Sequence, residues 1–403
     1  MAPESTGCFR RIALAVVMLS SLQSASAAFA ADARPELAFN LSYSIVAADF
    51  NHDGALDLAV AITFIAGSPP HSGFVSVILQ NPQKPGTFFR GVRYATGADP
   101  VWIAAGDLNG DSLPDLVVAN NRGASISILM QDSANPGTFL PASKVNVGGF
   151  PTAVAIGDLN GDGRSDIVVA NGKKNLTILF QEAAGPPGNF LDSQTVALNG
   201  FAGGVAIGDL NDDGFADMAV TTSNQVVVLL QDANHPGPFL PETDYKAGTF
   251  PAAVTIGDLN GDGRPDLAVA NYGPPASVSV LLQDPQHVGN FFLRSNFATG
   301  ASASDVAIAD LNRDRRPDLA VANNGVVSTT GSVSVLLQQL PKKALRFARK
   351  NYAGKIGPNS VAIGDLNGDD LPDIAAADGG SATILFQKPG LPGKFRPPVV
   401  VGK

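Results

Sequence analysis

Asp158-Leu159-Asn160-Gly161-Asp162-Gly163-Arg164-Ser165-Asp166-Ile167-Val168-Val169-Ala170-Asn171 is one of seven near-copies of a single pattern in this chain; the others open at Asp49, Asp107, Asp209, Asp258, Asp310 and Asp365. Successive copies start 58, 51, 51, 49, 52 and 55 residues apart, so the repeat is a structural unit of nearly constant size. A period of that length marks a propeller, a solenoid or an array.

The unit from Val254 to Gly300 resolves into strand-length runs. Val254–Leu259 alternates small and apolar residues, the Asp-rich turn follows, and then come Asp266–Ala270, Ser277–Gln283 and Phe291–Phe297. Each run is rich in β-branched or aromatic residues and bounded by turn formers. Four strands of about six residues with four short connections fill one period. Four-stranded sheets repeated around an axis are propeller blades, so the expected fold is all-β, a seven-bladed β-propeller of four-stranded antiparallel blades.

Ala and Gly recur in the first two strands, as in Val205-Ala-Ile-Gly208 and Asp318-Leu-Ala-Val-Ala322, and are expected to permit close approach near the axis. Each third strand ends in Gln (Gln80, Gln131, Gln181, Gln231, Gln283, Gln338, Gln387), expected to bond the following turn. That turn often reads Pro-Gly and then Phe, as in Asn135-Pro-Gly-Thr-Phe139, a turn with an anchoring aromatic. Leu37–Tyr43 and Phe395–Val401 both read as fourth strands, one of which would complete the last blade.

Composition narrows the function classes. Of 36 acidic residues only four are Glu, and 21 are Asp at positions 1, 5 and 9 of the repeats. A net charge of −9 without any basic run disfavours nucleic acid. Residues 1–30 read as a signal peptide: Arg10 and Arg11, the apolar run Ile12–Leu19, and Ala28-Phe29-Ala30 as cleavage site. The apolar run is too short to span a membrane, for which about 20 residues are needed. Residues 31–403 are then one propeller, secreted or periplasmic, expected as a monomer. The only cysteine, Cys8, falls within the signal, so no disulfide staples the mature chain.

In D-x-N-x-D-G-x-x-D, positions 1, 3, 5 and 9 offer side-chain oxygens and position 7 a carbonyl. Hard oxygen donors in one tight loop suit Ca²⁺, with Gly at position 6 for the turn. The candidate ligands are Asp49, Asn51, Asp53, Ala55 and Asp57; Asp107, Asn109, Asp111, Leu113 and Asp115; Asp158, Asn160, Asp162, Arg164 and Asp166; Asp209, Asn211, Asp213, Phe215 and Asp217; Asp258, Asn260, Asp262, Arg264 and Asp266; Asp310, Asn312, Asp314 and Asp318; and Asp365, Asn367, Asp369, Leu371 and Asp373. That is up to seven Ca²⁺, one per blade. The Asp310 loop is the weakest, since Arg313, Arg315 and Arg316 surround its carboxylates. Position 12 is Val or Ala in every copy, which excludes an EF-hand, where a bidentate Glu is required. The same residues can also close Asx turns on backbone alone. Three carboxylates in nine residues repel one another without a cation, which favours the metal.

The motif, its seven copies and the strand after it resemble the FG-GAP or VCBS repeats of integrin α-subunit propellers and of many exported bacterial proteins, over residues 36–403. The resemblance implies that each calcium loop joins the first two strands of a blade and that partners bind the opposite face. Counterparts of the Phe-Gly and Gly-Ala-Pro segments are loose, as in Gly248-Thr-Phe-Pro-Ala252. On that face the long connections Thr63–Gly73, with Phe64, Pro69, Pro70 and His71, and Asn323–Ser332 are the expected binding surface.

No G-x-S-x-G and no reactive Cys appears, and His52, His71, His235 and His287 read as turn residues. The expected function is therefore a non-catalytic binding scaffold for an extracellular protein or glycan. The alternative is a polysaccharide lyase or hydrolase, for which Asp99, Asp244 and Asp305, read as lying before inner strands, are the available carboxylates. With Trp102 the only tryptophan, stacking platforms for sugars are scarce.

Overall fold

The strands Asn40–Ala48, Asp57–Phe64, Gly73–Ile78 and Val92–Ala95 pair in chain order into one antiparallel sheet, and six further sheets repeat that order through to Val361–Gly364, Asp373–Asp378, Ser381–Leu385 and Val399–Val401. The computed structural model describes residues 40–64, 71–182, 188–232, 237–325, 331–339, 345–353 and 357–402, all within one compact unit, Phe39–Lys403. The signal segment with Cys8, Leu37–Phe39, Pro69, Pro70, His235 and the middle of Asn323–Ser332 lie outside the described residues. Among the described residues there is no helix, and none long and apolar enough to cross a membrane. The chain is the expected seven-bladed propeller: each blade's inner strand touches the next, and Val361–Gly364 of the last meets Asn40–Ala48 of the first.

Second strands are buried on both faces, so they read as continuous apolar runs with an internal alternation of size. In blade 5, Leu267 and Val269 face blade 4, while Ala268 and Ala270 face blade 6 and receive its Leu319 and Val321. Val117 and Ala119 likewise receive Ile167 and Val169, and Ala320 and Ala322 receive Ile374 and Ala376. Seven apolar clusters result, one at each blade junction. The small residues are thus specific to one face of each blade rather than to the neighbourhood of the axis. Interlocking of large against small is how an interior reaches crystal-like density.

The ring closes by the same packing. Leu58 and Val60 of blade 1 seat against Ala375 and Ala377 of blade 7. Contrary to the sequence reading, the N-terminal segment is an inner strand, Asn40–Ala48, and the C-terminal Val399–Val401 supplies the missing outer strand of blade 7. Among the described residues each sheet is built from four consecutive strands.

Turns on the Asp-loop face lock neighbours together. Gln80, Gln131, Gln231 and Gln387 accept the turn's N–H on Oε1, as from Gly137 to Gln131 at 2.9 Å and Gly393 to Gln387 at 2.9 Å. The sequence reading omitted the other half of that amide. Gln231, Gln283 and Gln338 each donate Nε2 to a carbonyl in the preceding blade (Leu159, Leu210, Leu259) at 3.0, 2.8 and 2.7 Å. Gly137, at φ +87°, sits where a Cβ would come 3.0 Å from the Cβ of Asn51, so the turn glycine serves both conformation and contact with the previous loop. The following Phe139 packs edge-on against Tyr94 of blade 1, with ring centroids 5.4 Å apart; Tyr245 with Phe291 and Tyr352 with Phe395 repeat this.

Gln283→Leu strips Leu210 and Pro265 of a buried donor, and it should cost about 1–3 kcal/mol in denaturant unfolding. Gln339→Ala, on the exposed neighbour, should be nearly silent in the same assay.

Candidate metal loops and the opposite face

Each Asp-rich loop joins the inner and second strands of its blade, as the resemblance implied. Its tightness comes from two left-handed residues. Position 4 is left-handed at His52, Gly110, Gly161, Asp212, Gly261, Arg313 and Gly368, and position 6 at Gly54, Ser112, Gly163, Gly214, Gly263, Arg315 and Asp370. Position 4 went unread in the sequence although Gly stands there four times. The Asp310 loop alone has Arg at both, φ 58° and 62°, a conformation disfavoured by about 1–2 kcal/mol per L-residue.

The side chains then close on the loop's own backbone. The first Asp takes the N–H groups of positions 5 and 6: Asp158 accepts from Asp162 at 3.1 Å and Gly163 at 2.7 Å, and Asp49, Asp107, Asp209, Asp258, Asp310 and Asp365 do the same. Asn51, Asn109, Asn160, Asn211, Asn260, Asn312 and Asn367 each accept the N–H of position 5 at 2.8–3.1 Å. Asp53, Asp111, Asp162, Asp213, Asp262, Asp314 and Asp369 accept the N–H of position 7, from Ala55, Leu113, Arg164, Phe215, Arg264, Arg316 and Leu371. Arg164 caps Asp162 at 2.7 Å, and Arg316 caps Asp314.

The ninth residue is the buried one. Asp57, Asp115, Asp166, Asp217, Asp266, Asp318 and Asp373 are fully inaccessible. One oxygen of each accepts the N–H of position 2 and the other the backbone N–H of the third-strand Gln, as for Asp266 with Leu259 and Gln283, both at 2.9 Å. Burial, reinforced by the carboxylates at positions 5 and 1 and opposed by the two N–H bonds, pushes Asp57, Asp266, Asp318 and Asp373 up to about 7, and Asp115, Asp166 and Asp217 to about 6.

Among the described residues no group of three or more Asp, Glu, His or Cys stands gathered as a metal cluster. The donor chemistry nevertheless suits a hard cation. Three carboxylates and an amide oxygen share nine residues, a carboxylate oxygen that accepts one N–H keeps a second lone pair, and burial holds the ninth Asp above the usual carboxylate range.

On the opposite face, Phe150 and Phe250 precede the inner strands of blades 3 and 5, Phe250 at positive φ, and Phe201 holds the matching place in blade 4. Phe150 is 58% exposed; Tyr272, whose N–H bonds the Phe250 carbonyl, is 38% exposed. Trp102 touches the junction cores of blades 2–3, 3–4 and 5–6, so its indole lies across the axis rather than offering a surface for stacking. Asp305 is buried, tied to the N–H groups of Val306 at 2.8 Å and Val361 at 3.0 Å, and pushed up to about 6 by burial. Asp244 lies exposed on the outer strand Thr243–Lys246, not before an inner one. The three carboxylates considered for catalysis therefore do not converge. His71 is not a surface turn residue but buried, its Nδ1 3.0 Å from Asp99, while His287 is exposed beside Asp284.

Seven blades, each built on one Asp-rich loop, make this a repeat propeller. Residues 107–169, 158–220, 209–269 and 258–321, together more than half the chain, match the FG-GAP-like repeat, and the chain belongs to that family. No curated protein matches it in sequence. In fold it is similar to a candidate 6-phosphogluconolactonase from Bacteroides uniformis (14% identity, TM-score 0.57, 78% of this chain and 86% of that one). It is similar too to the periplasmic gluconolactonase of Pseudomonas aeruginosa (17%, 0.53, 78% and 86%) and to BBS1N in its complex with ARL6DN (14%, 0.55, 89% and 98%). At these identities the likeness is one of fold.

The raised aspartates set a pH dependence for the protein in chelator. Each has a folded value above its unfolded value near 4, so its contribution to stability is present in acid and lost as pH rises through 6–7. One unit is worth about 1.4 kcal/mol. Thermal melts in EDTA should therefore give a higher Tm at pH 5 than at pH 7.5; a Tm that rises over this interval contradicts the burial argument.

Proposed function

We propose that the protein is an exported propeller, rigidified by Ca²⁺ in its Asp-rich loops, that holds an extracellular protein or glycan on the opposite face without catalysing a reaction. The observation that carries the binding reading is the aromatic arc of Phe150, Phe201, Phe250 and Tyr272 on three consecutive blades. Left-handed backbone at a residue as bulky as Phe250 is costly and persists where surroundings enforce it, and exposed apolar rings rimmed by polar groups mark interaction surfaces. Residues 1–30 support export. Against catalysis stands the separation of Asp99, Asp244 and Asp305.

Positions 1, 3, 5 and 9, with the position-7 carbonyl, would hold the ion, which supplies the positive charge that the buried ninth Asp lacks. The loops at Asp49, Asp158, Asp209 and Asp258 suit it best, and the Asp310 loop least. At millimolar Ca²⁺ and the weak affinities of extracellular modules, each site adds about 0.4–1.4 kcal/mol. EDTA should lower the melting temperature at pH 7.5 by many degrees, with restoration by Ca²⁺ and not by Mg²⁺; an unchanged melt rejects calcium as a structural ion.

Phe150→Ser with Phe250→Ser should leave the melt within about 2 °C of wild type, since both rings are at least partly exposed. The same pair should abolish capture of ligands found by screening glycan arrays and exported-protein extracts. Turnover of a polysaccharide without any binding partner would reject the scaffold reading in favour of a lyase or hydrolase.

A further inference from the structure

Where blades 1 and 2 meet on the face away from the Asp-rich loops, one carboxylate joins an imidazole and a guanidinium. Asp99, in the connection between those blades, accepts from His71 Nδ1 at 3.0 Å and from Arg122 Nε at 2.8 Å. His71 comes from the second-to-third connection of blade 1 and Arg122 from that of blade 2. Backbone bonds hold the group in place: the Asp99 N–H donates to the His71 carbonyl at 3.0 Å, and the Asn121 N–H to the Asp99 carbonyl at 2.8 Å. His71 and Asp99 are both left-handed, φ 64° and 52°. The places matching Asp99 at later junctions hold Phe150, Phe201, Phe250, Ser302 and Gly357, so the cluster is a departure from the repeat.

We propose that this cluster is a binding site for a sugar acid, with the ligand carboxylate on Arg122 and a neighbouring ligand hydroxyl on His71. The protonation pattern assigns the roles. Asp99 accepts from Nδ1, which leaves Nε2 for the ligand; with the ring proton on Nδ1 alone, Nε2 is an acceptor, suited to a hydroxyl and not to a carboxylate. Arg122 spends Nε on Asp99, and its half-exposed guanidinium retains both terminal amino groups, the fork that grips a carboxylate. Because the two bases share one carboxylate, they lie side by side, and a ligand reaching both must carry hydroxyl and carboxylate close together. A neutral sugar lacks the anion, and an acidic peptide side chain lacks the adjacent hydroxyl. Tyr43 stands near enough to feel the charges of Asp99 and Arg122; burial, and then Asp99, raise its phenol, so it remains a hydroxyl donor. The site is independent of the aromatic arc, which lies on blades 3–5.

The test uses the full mature chain, with galacturonate and gluconate as probes and galactose and acetate as controls. Binding is followed by calorimetry and by the imidazole ¹⁵N and ¹H signals of His71. The expected result is that a sugar acid shifts the His71 signals and binds at least about tenfold tighter than either control. Arg122→Gln should lose about tenfold in affinity with an unchanged melt, since that side chain is half in solvent. His71 signals unmoved by either sugar acid at tens of millimolar overturn the proposal, whatever the variants do. Acetate binding as well as galacturonate overturns the hydroxyl assignment, and equal affinities of wild type and Arg122→Gln overturn the carboxylate assignment. A solely structural role for the cluster predicts all of these negative outcomes together with a lowered melt in His71→Gln.

Discussion

In every blade a buried aspartate accepts one N–H from the loop that precedes it and one from the third strand, and the rest of the blade is arranged around that pair of bonds. An unpaired N–H in this interior would be costly, and so would an unsolvated carboxylate; each relieves the other. The geometry that results fixes where the loop begins, where the second strand enters the sheet and where the third strand ends. Because the third strand ends in Gln, whose side chain continues into the next turn and the neighbouring blade, the same carboxylate indirectly sets how blades register against one another.

Between blades, no backbone ladder exists. Cohesion rests on Leu and Val of one second strand seated over Ala of the preceding one, with Phe–Tyr edge contacts at the rim and Gln-to-carbonyl bonds on the loop face. All three devices use side chains that point along the ring; the apolar seat recurs at every junction, the Phe–Tyr contacts and the Gln-to-carbonyl bonds at several. The face opposite the loops has no such duty, and the repeats diverge there: matching places hold Asp99, then Phe150, Phe201 and Phe250, then Ser302 and Gly357.

Strands, blade number and the place of each loop were legible in the sequence because a short pattern repeated at constant spacing specifies them locally. The meaning of the Asp-Leu-Ala-Val-Ala alternation was half legible. Small residues signalled close approach, but which face they served depends on the neighbouring blade. Leu37–Tyr43 was read as an outer strand alongside Phe395–Val401, and only the pairing of Asn40–Ala48 with Asp57–Phe64 distinguishes the two. The His71–Asp99–Arg122 group was beyond reach as a group: its members are 28 and 23 residues apart and meet only once two blades are in place. His71 and Asp99 were each noticed singly; Arg122, in a short Asn-Arg-Gly connection, carried no signal at all.

Ring closure by side-chain packing puts the first and last described strands in different mechanical situations. The first described strand, Asn40–Ala48, is an inner strand at the axis, and the last, Val399–Val401, is an outer strand at the rim of the adjacent blade. A force applied between the ends, as when a ligand held on one blade is pulled against a tethered terminus, therefore acts across a seam of side-chain contacts with no hydrogen-bonded ladder to share it. The first rupture under load would open the ring between blades 7 and 1 and turn a closed band into a linear array, leaving every sheet intact.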